Sequence, residues 1–487
     1  MTAPTGDGRS SQAGIDVAPR RGFVVVVLAL VLVAAGVVDR SDRSSGVVAG
    51  PPVDMPTAPA AGSVSSTWYC AGGTAESGGA ADTTVIVANP GAREIKAVVS
   101  VIPSEGQRAT RQLTVRANAT QALRLQDVAK ATYAAALVDL DGGQGVVEQT
   151  VTGSLGSSAS PCASAASDRW YFADGSTRRE ATMVLALFNP FPDNAIADMS
   201  FTTDQGRSVP RALQGLVVPA RSLVVRNIGD FVRRRETLAT SISVRSGRLV
   251  VNKLQLHDGG GRKGVALVLG APSVGSVWRF PEGYVRDGIS ENLAIYNPSE
   301  REATVDVELA LERGAAEPFE LTVPARERVT LAANKESRIP KDDSHAITVF
   351  RRSGPGVVVE RTIDAVAPAP RTGFADTMGA RRLSTRWFLV AGSATDKEDE
   401  WVVVHNPSRA AATVSFTVLA GGQRLAVEGL QSVRVAAGRR QAFRLGDHLQ
   451  RPDTPLVVES TTPVVVERTL YRTDGIGFSF TLGIPAP

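Results

Sequence analysis

The side chains best suited to proton transfer or metal ligation are four histidines: His257, His345, His405 and His448. No two of them fall at the spacing that a metal site needs. No Ser, Cys or Asp sits in a nucleophile motif between a strand-like and a helix-like segment. The run Gly259-Gly260-Gly261 opens no helical pattern, so it reads as a hairpin turn and not as a phosphate cradle. Two acidic clusters offer the oxygen ligands that calcium takes: Asp139-Leu140-Asp141-Gly142-Gly143, and Asp396, Glu398, Asp399 and Glu400. The first lacks the glutamate that closes a calcium loop, and Lys397 interrupts the second, so both read as solvated turns. Glu148, Glu360 and Glu467 each follow a run of valines, and position 252, their fourth equivalent, is Asn. Recurrence at equivalent places points to a structural role. The expectation is therefore a chain without a catalytic centre, metal or cofactor.

The elements that carry these residues repeat. A tryptophan opens a strand-like run four times, at Trp68, Trp170, Trp278 and Trp387. About twenty residues after each, an Asn-Pro pair closes a second run, at Asn89, Asn189, Asn297 and Asn406. Proline has no N–H to give a ladder, and Asn bonds nearby backbone, so the pair ends a strand. A period of roughly a hundred residues, with seven or eight short alternating runs in each, is that of a small β-sandwich. A propeller blade takes only about 40–45 residues, less than half this period, so a propeller is not expected.

The second strand sets a register. Two and four residues before each Asn stand Val87/Val85, Leu187/Leu185, Ile295/Leu293 and Val404/Val402, which by the period of two face a core. The residue just before the Asn then faces outward, and it is Ala88, Phe188, Tyr296 or His405. Trp401 is also outward by the same count. Phe188, Tyr296, Trp401 and His405 are thus the expected ligand or partner surface. The competing reading is that another domain covers this face. The four tryptophans are expected core anchors.

Bulk properties narrow the partners. Lys and Arg number 53 against 49 Asp and Glu, a net charge of +4 with the signs interspersed, so no basic stripe argues for nucleic acid. The two cysteines, Cys70 and Cys162, flank the first repeat. An even count beside an export segment predicts a disulfide. The competing reading is a buried free thiol, because the equivalents of Cys70 are Phe172, Phe280 and Leu389.

That export segment is the uncharged apolar run of residues 23–38, preceded by Arg20 and Arg21. As a helix it spans about 24 Å, short of a bilayer core of roughly 30 Å, so it fits a signal peptide or a short anchor. An uncleaved anchor with its N-terminus inside is the favoured reading, and a secreted chain after cleavage is the alternative. The expected organisation is a disordered cytoplasmic tail (1–22), the apolar helix (23–38), a flexible stalk (39–66) and four immunoglobulin-like sandwiches at 67–162, 168–272, 277–381 and 385–487.

The apolar segment, the Ala/Gly/Val/Arg-rich composition and the W-[YF]…NP repeats together resemble an uncharacterised family of large secreted or membrane-anchored actinobacterial proteins. The resemblance implies an envelope location and an accessory role near the cell-wall glycan machinery. The expected function is that of a non-catalytic, extracytoplasmic scaffold or interaction protein at the plasma membrane. Its expected partners are the membrane, envelope proteins and cell-wall glycan. The alternatives are a glycan-binding module using exposed aromatics and, more remotely, an envelope enzyme.

Overall fold

Alternating runs rich in Val, Thr and Ile suit a pleated surface buried on one face, and they form strands throughout a computed structural model. It describes residues 54–60, 62–312, 316–341 and 343–487. The expected tail, the apolar helix and the stalk as far as residue 53 lie outside the described residues. Among the described residues, no helix is long and apolar enough to cross a membrane.

Each repeat is built from two small, largely antiparallel sheets. In the third repeat one sheet has the order Val277–Phe280, His345–Ser353, Ala303–Leu311, Phe319–Val323. The other has the order Arg328–Ala332, Ile289–Tyr296, Val358–Ala365, Gly373–Met378. The other three repeats use the same order, except that in the first a parallel bridge, Thr74 to Asp82, joins the two sheets, and in the last the sixth and seventh strands merge into Leu456–Arg472. Trp68, Trp170, Trp278 and Trp387 are among the largest fully buried side chains. Three of their indole N–H groups donate to backbone carbonyls at the seventh strand or its edge: Trp170 to Leu249, Trp278 to Val357 and Trp387 to Val464.

The Asn of each Asn-Pro pair is a four-way clamp. The Asn297 Nδ2 group donates to the carbonyls of Arg301 at 2.7 Å, Val323 at 3.0 Å and Pro324 at 3.1 Å, while its Oδ1 accepts from the Ser299 N–H at 3.1 Å. Asn89, Asn189 and Asn406 make the corresponding bonds, and all four are fully buried. One side chain thus ties the second strand, the turn after it and the end of the fourth strand.

The repeats do not form a rod. Their last strands, Gly156–Pro161, Arg262–Leu269, Gly373–Met378 and Phe478–Leu482, lie side by side in that order, and the fourth returns to the first. Side chains stitch this centre: the Ser158 hydroxyl accepts from the Leu267 N–H at 3.0 Å, and Ser479 accepts from the Ala159 N–H at 3.1 Å. Close approach demands glycine here. A Cβ on Gly264 would stand 2.5 Å from the backbone nitrogen of Phe374, and one on Gly373 would stand 2.3 Å from the Phe478 Cβ. The arrangement is propeller-like, contrary to the expectation from the period, because each repeat of about a hundred residues supplies two sheets, and only its last strand reaches the centre.

The end of the expected stalk is not free. Ala58 is buried, its N–H donates to the Pro485 carbonyl at 2.9 Å, and Asp54 pairs with Arg381 and Arg382. Met55 and Ala58 pack against the core, and the backbone bond and ion pairs add to that apolar contact. Cys70 and Cys162 form a disulfide.

Replacing Asn297 with Asp should destabilise the protein more than replacing it with Ala. A carboxylate would face three carbonyl oxygens with no donor, whereas Ala leaves groups unpaired at a cost of roughly 1–3 kcal/mol. Urea titration at neutral pH checks the order.

Candidate functional site

The seventh strand places two adjacent residues at each contact between repeats: Glu148-Gln149, Asn252-Lys253, Glu360-Arg361 and Glu467-Arg468. All are buried. The basic residue of one repeat meets the glutamate of the next. Lys253 pairs with Glu360, Arg361 with Glu467 at 2.6 Å, and Arg468 with Glu148 at 3.1 Å, so the last pair closes the circle. Each glutamate also reaches the first turn of the repeat it enters. Glu360 accepts the Asp174 N–H at 2.9 Å, Glu467 that of Glu282 at 3.0 Å and Glu148 that of Ala391 at 2.8 Å. The remaining contact has the neutral residues Gln149 and Asn252. There the equivalent N–H, of Gly72, is taken by Gln149 at 3.0 Å from within its own repeat.

Lys253, Glu467, Glu400 and His405 titrate away from their ordinary ranges. Burial alone would push the Lys253 ammonium down, but Asp376, Glu360 and Asp174 outweigh it and hold it up. Burial pushes the Glu467 carboxyl up, against the opposing Arg361. Burial lifts Glu400 to about 7, with Arg468 and the Thr454 hydroxyl opposing. His405 is pushed down to about 3 by burial, then by Arg279 and Arg440.

The expected outward surface is mostly covered. Phe188, Tyr296 and His405 are buried. Each second strand docks on the preceding repeat, so its outward face is interior to the assembly. The Tyr296 hydroxyl, for instance, lies 2.9 Å from the Ser241 hydroxyl of the second repeat. The acidic loop of the fourth repeat also departs from a solvated turn. Asp399 and Glu400 are buried, and Asp399 pairs with Arg371 and Arg444. The histidines stay apart. His345 is 2.9 Å from Glu291 in a buried pair, and His257 packs edge-on to Phe374.

Trp401 alone of the four expected surface residues keeps partial exposure. It lines a cleft of about 300 Å³ between the third and fourth repeats, with Tyr284, Arg371, Arg440, Tyr471 and Phe478. Arg440 is buried and pairs with both Glu282 and Glu312. The guanidinium of Arg371 lies over the Tyr471 ring, 4.4 Å from its centroid. The hydroxyls of Tyr284 and Tyr471 are 3.3 Å apart. Tyr284, Tyr471 and Phe478 are buried behind Trp401, so a ring-shaped ligand here would stack on the part-exposed Trp401 indole. No pair of free carboxyls faces across it, because Glu282 and Glu312 are engaged by Arg440.

Residues 142–333 match a family of unknown function, DUF5719. The match runs from the end of the first repeat into the third, so Trp401 and Tyr471 lie beyond it. No curated protein matches the chain. Among solved structures, the chain is similar to that of Thermotoga maritima 1070, at 21% identity over 22% of this chain and 95% of that one, with a TM-score of 0.21. It is similar to the Anabaena sensory rhodopsin transducer at 25% identity over 18% and 94%, with a TM-score of 0.16. A tetra-tandem repeat from the extending region of a large adhesion protein is 11% identical over 80% and 92%, with a TM-score of 0.12. At these scores none of them carries an argument about function.

Two outcomes follow from the buried charges. Arg361→Met leaves Glu467 without its cation and should cost about 3–5 kcal/mol in urea unfolding, whereas Arg361→Met with Glu467→Leu should cost much less. The pH profile should bend in two places. His405 contributes stability above its ordinary value of 6.5 that is lost as pH falls toward 3, so His405→Gln should flatten that limb. Glu400 contributes stability below its ordinary 4.5 that is lost as pH rises through about 7, so Glu400→Gln should flatten the opposite limb. Urea midpoints measured from pH 4 to pH 8 test both slopes.

Proposed function

We propose that the chain is a non-catalytic, extracytoplasmic interaction protein of a bacterial cell envelope. In this reading the apolar run of residues 23–38 holds it at the plasma membrane, or directs its secretion, and four sandwich repeats form a rigid presenting body. The observation that carries the reading is the use made of the recurrent ionisable residues. Glu148, Glu360 and Glu467 are each engaged by a cation and a backbone N–H of a neighbouring repeat. Groups held in this way serve assembly, which leaves surfaces and clefts as the working parts. The Cys70–Cys162 disulfide supports an oxidising compartment. The resemblance to actinobacterial envelope proteins supports the same location. The alternative of a glycan-binding module loses Phe188, Tyr296 and His405 as platforms and keeps Trp401.

Crosslinking on intact cells, with the N-terminal segment retained, tests the reading. Adducts with extracytoplasmic proteins or cell-wall polymer are expected, and adducts confined to cytosolic proteins would overturn it. The disulfide has its own check. The disulfide closes a span of 92 residues. Removing it by paired Cys→Ser substitution should therefore cost roughly 4–5 kcal/mol in the chain-entropy model. A urea midpoint unchanged by the substitution would mean that the bond adds nothing in the folded protein.

A further inference from the structure

Four repeats with one scaffold provide an internal reference: a residue that serves the fold recurs, and one that serves a ligand stands out. Strand register fixes the comparison. Tyr471 pairs with Asp399, and the residues equivalent to Tyr471 are Asp364 opposite Ser290, Leu256 opposite Thr182 and Thr152 opposite Asp82. Trp401 is matched by Asn292, Val184 and Thr84. Tyr284 follows Gly283, and the residues after the equivalent glycines are Thr74, Ser176 and Ser393. None of these counterparts is aromatic. The three aromatic departures therefore fall at three separate places in the chain, and all three line the single cleft between the third and fourth repeats.

The other parts of the cleft suit an amphipathic ring. Phe478 and Tyr471 form an edge-to-face pair with centroids 4.8 Å apart, next to the half-buried face of Trp401. Around them stand donors and acceptors already fixed by partners: Arg440 between Glu282 and Glu312, and Arg371 on Asp399. Burial raises Asp399, but hydrogen bonds from Arg444 and Arg371 outweigh it and hold its carboxyl low. Cations and carboxylates nearly balance, so the lining does not select a strongly charged ligand. A sugar ring has apolar C–H faces and a hydroxyl rim, which is the complement of this lining. A volume of about 300 Å³ lies at the small end of ligand pockets, the size for a short saccharide segment.

We propose that the cleft between the third and fourth repeats, built on Tyr284, Trp401 and Tyr471, is a binding site for a neutral saccharide. This deepens the envelope reading and rests on it for the source of the sugar, a cell-wall glycan.

The chain contains its own reporter. It has five tryptophans, and four of them are buried repeat anchors, so a ligand in the cleft perturbs Trp401 fluorescence first. The full-length chain is titrated with N,N′-diacetylchitobiose, with cellobiose and with a proline-rich peptide that suits aromatic grooves of a different class. The expected result is a saturable fluorescence change with one of the two saccharides. Trp401→Phe should abolish the change, and Trp401→Ala should weaken binding at least tenfold by calorimetry while the urea midpoint stays close to that of the parent. Three results would overturn the proposal: no saturable change with either saccharide up to about 10 mM, a limit that excludes all but negligible affinity; unaltered binding in Trp401→Ala; or saturation by the peptide alone. If intact-cell crosslinking reports envelope partners while no saccharide binds, the interaction-protein reading stands and the saccharide site falls.

Discussion

The structure depends on a buried cation of one repeat meeting the buried glutamate of the next. Three such pairs, Lys253 with Glu360, Arg361 with Glu467 and Arg468 with Glu148, run around the centre. An ion pair without water gains little net stability over an apolar pair of the same shape, but breaking one leaves an uncompensated charge. The pairs therefore penalise any displacement of one repeat against the next more than they deepen the folded state. The second bond of each glutamate, to a backbone N–H in the first turn of the neighbouring repeat, fixes orientation as well as contact. The contact between the first and second repeats dispenses with charge on both sides at once, as Gln149 and Asn252, so no lone ion is left buried there.

Much of a single repeat was legible in the sequence. Each tryptophan anchors a core, and each Asn-Pro ends a strand because one amide satisfies three carbonyls that proline's missing N–H and the turn leave over. The inward register of the second strand also holds, since Val85, Leu185, Leu293 and Val402 are all buried. The outward residues point away from their own core, and a neighbouring repeat covers them, as the competing reading held. A period of two tells which residues share a face, and says nothing about what covers that face. The signal was nonetheless present. The runs Val85-Ile86-Val87-Ala88, Val184-Leu185-Ala186-Leu187-Phe188 and Val402-Val403-Val404 are apolar without alternation, the mark of a strand buried on both sides. The adjacent acid and base of the seventh strand, read across repeats instead of within one, carry the closure in the same way.

Closure also explains why a functional residue is hard to see in this chain. Buried ionisable groups usually point to chemistry, and here most of them hold repeats together. Once those roles are assigned, what remains is the set of departures from the shared scaffold. Tyr284, Trp401 and Tyr471 belong to that set and converge. A repeat protein that has spent its symmetry on assembly can differentiate one junction at little cost to the other three.

The four repeats should stand or fall together through their junctions. Native-state hydrogen exchange, read by mass spectrometry on the parent and on Glu467→Ala, tests it most directly, because it reports opening segment by segment. Losing the pair between the third and fourth repeats should lower the protection of core strands in all four, Val85 to Asn89 of the first repeat included. Lowered protection confined to the third and fourth repeats, with the first and second unchanged, would contradict it and make the chain a string of independent domains.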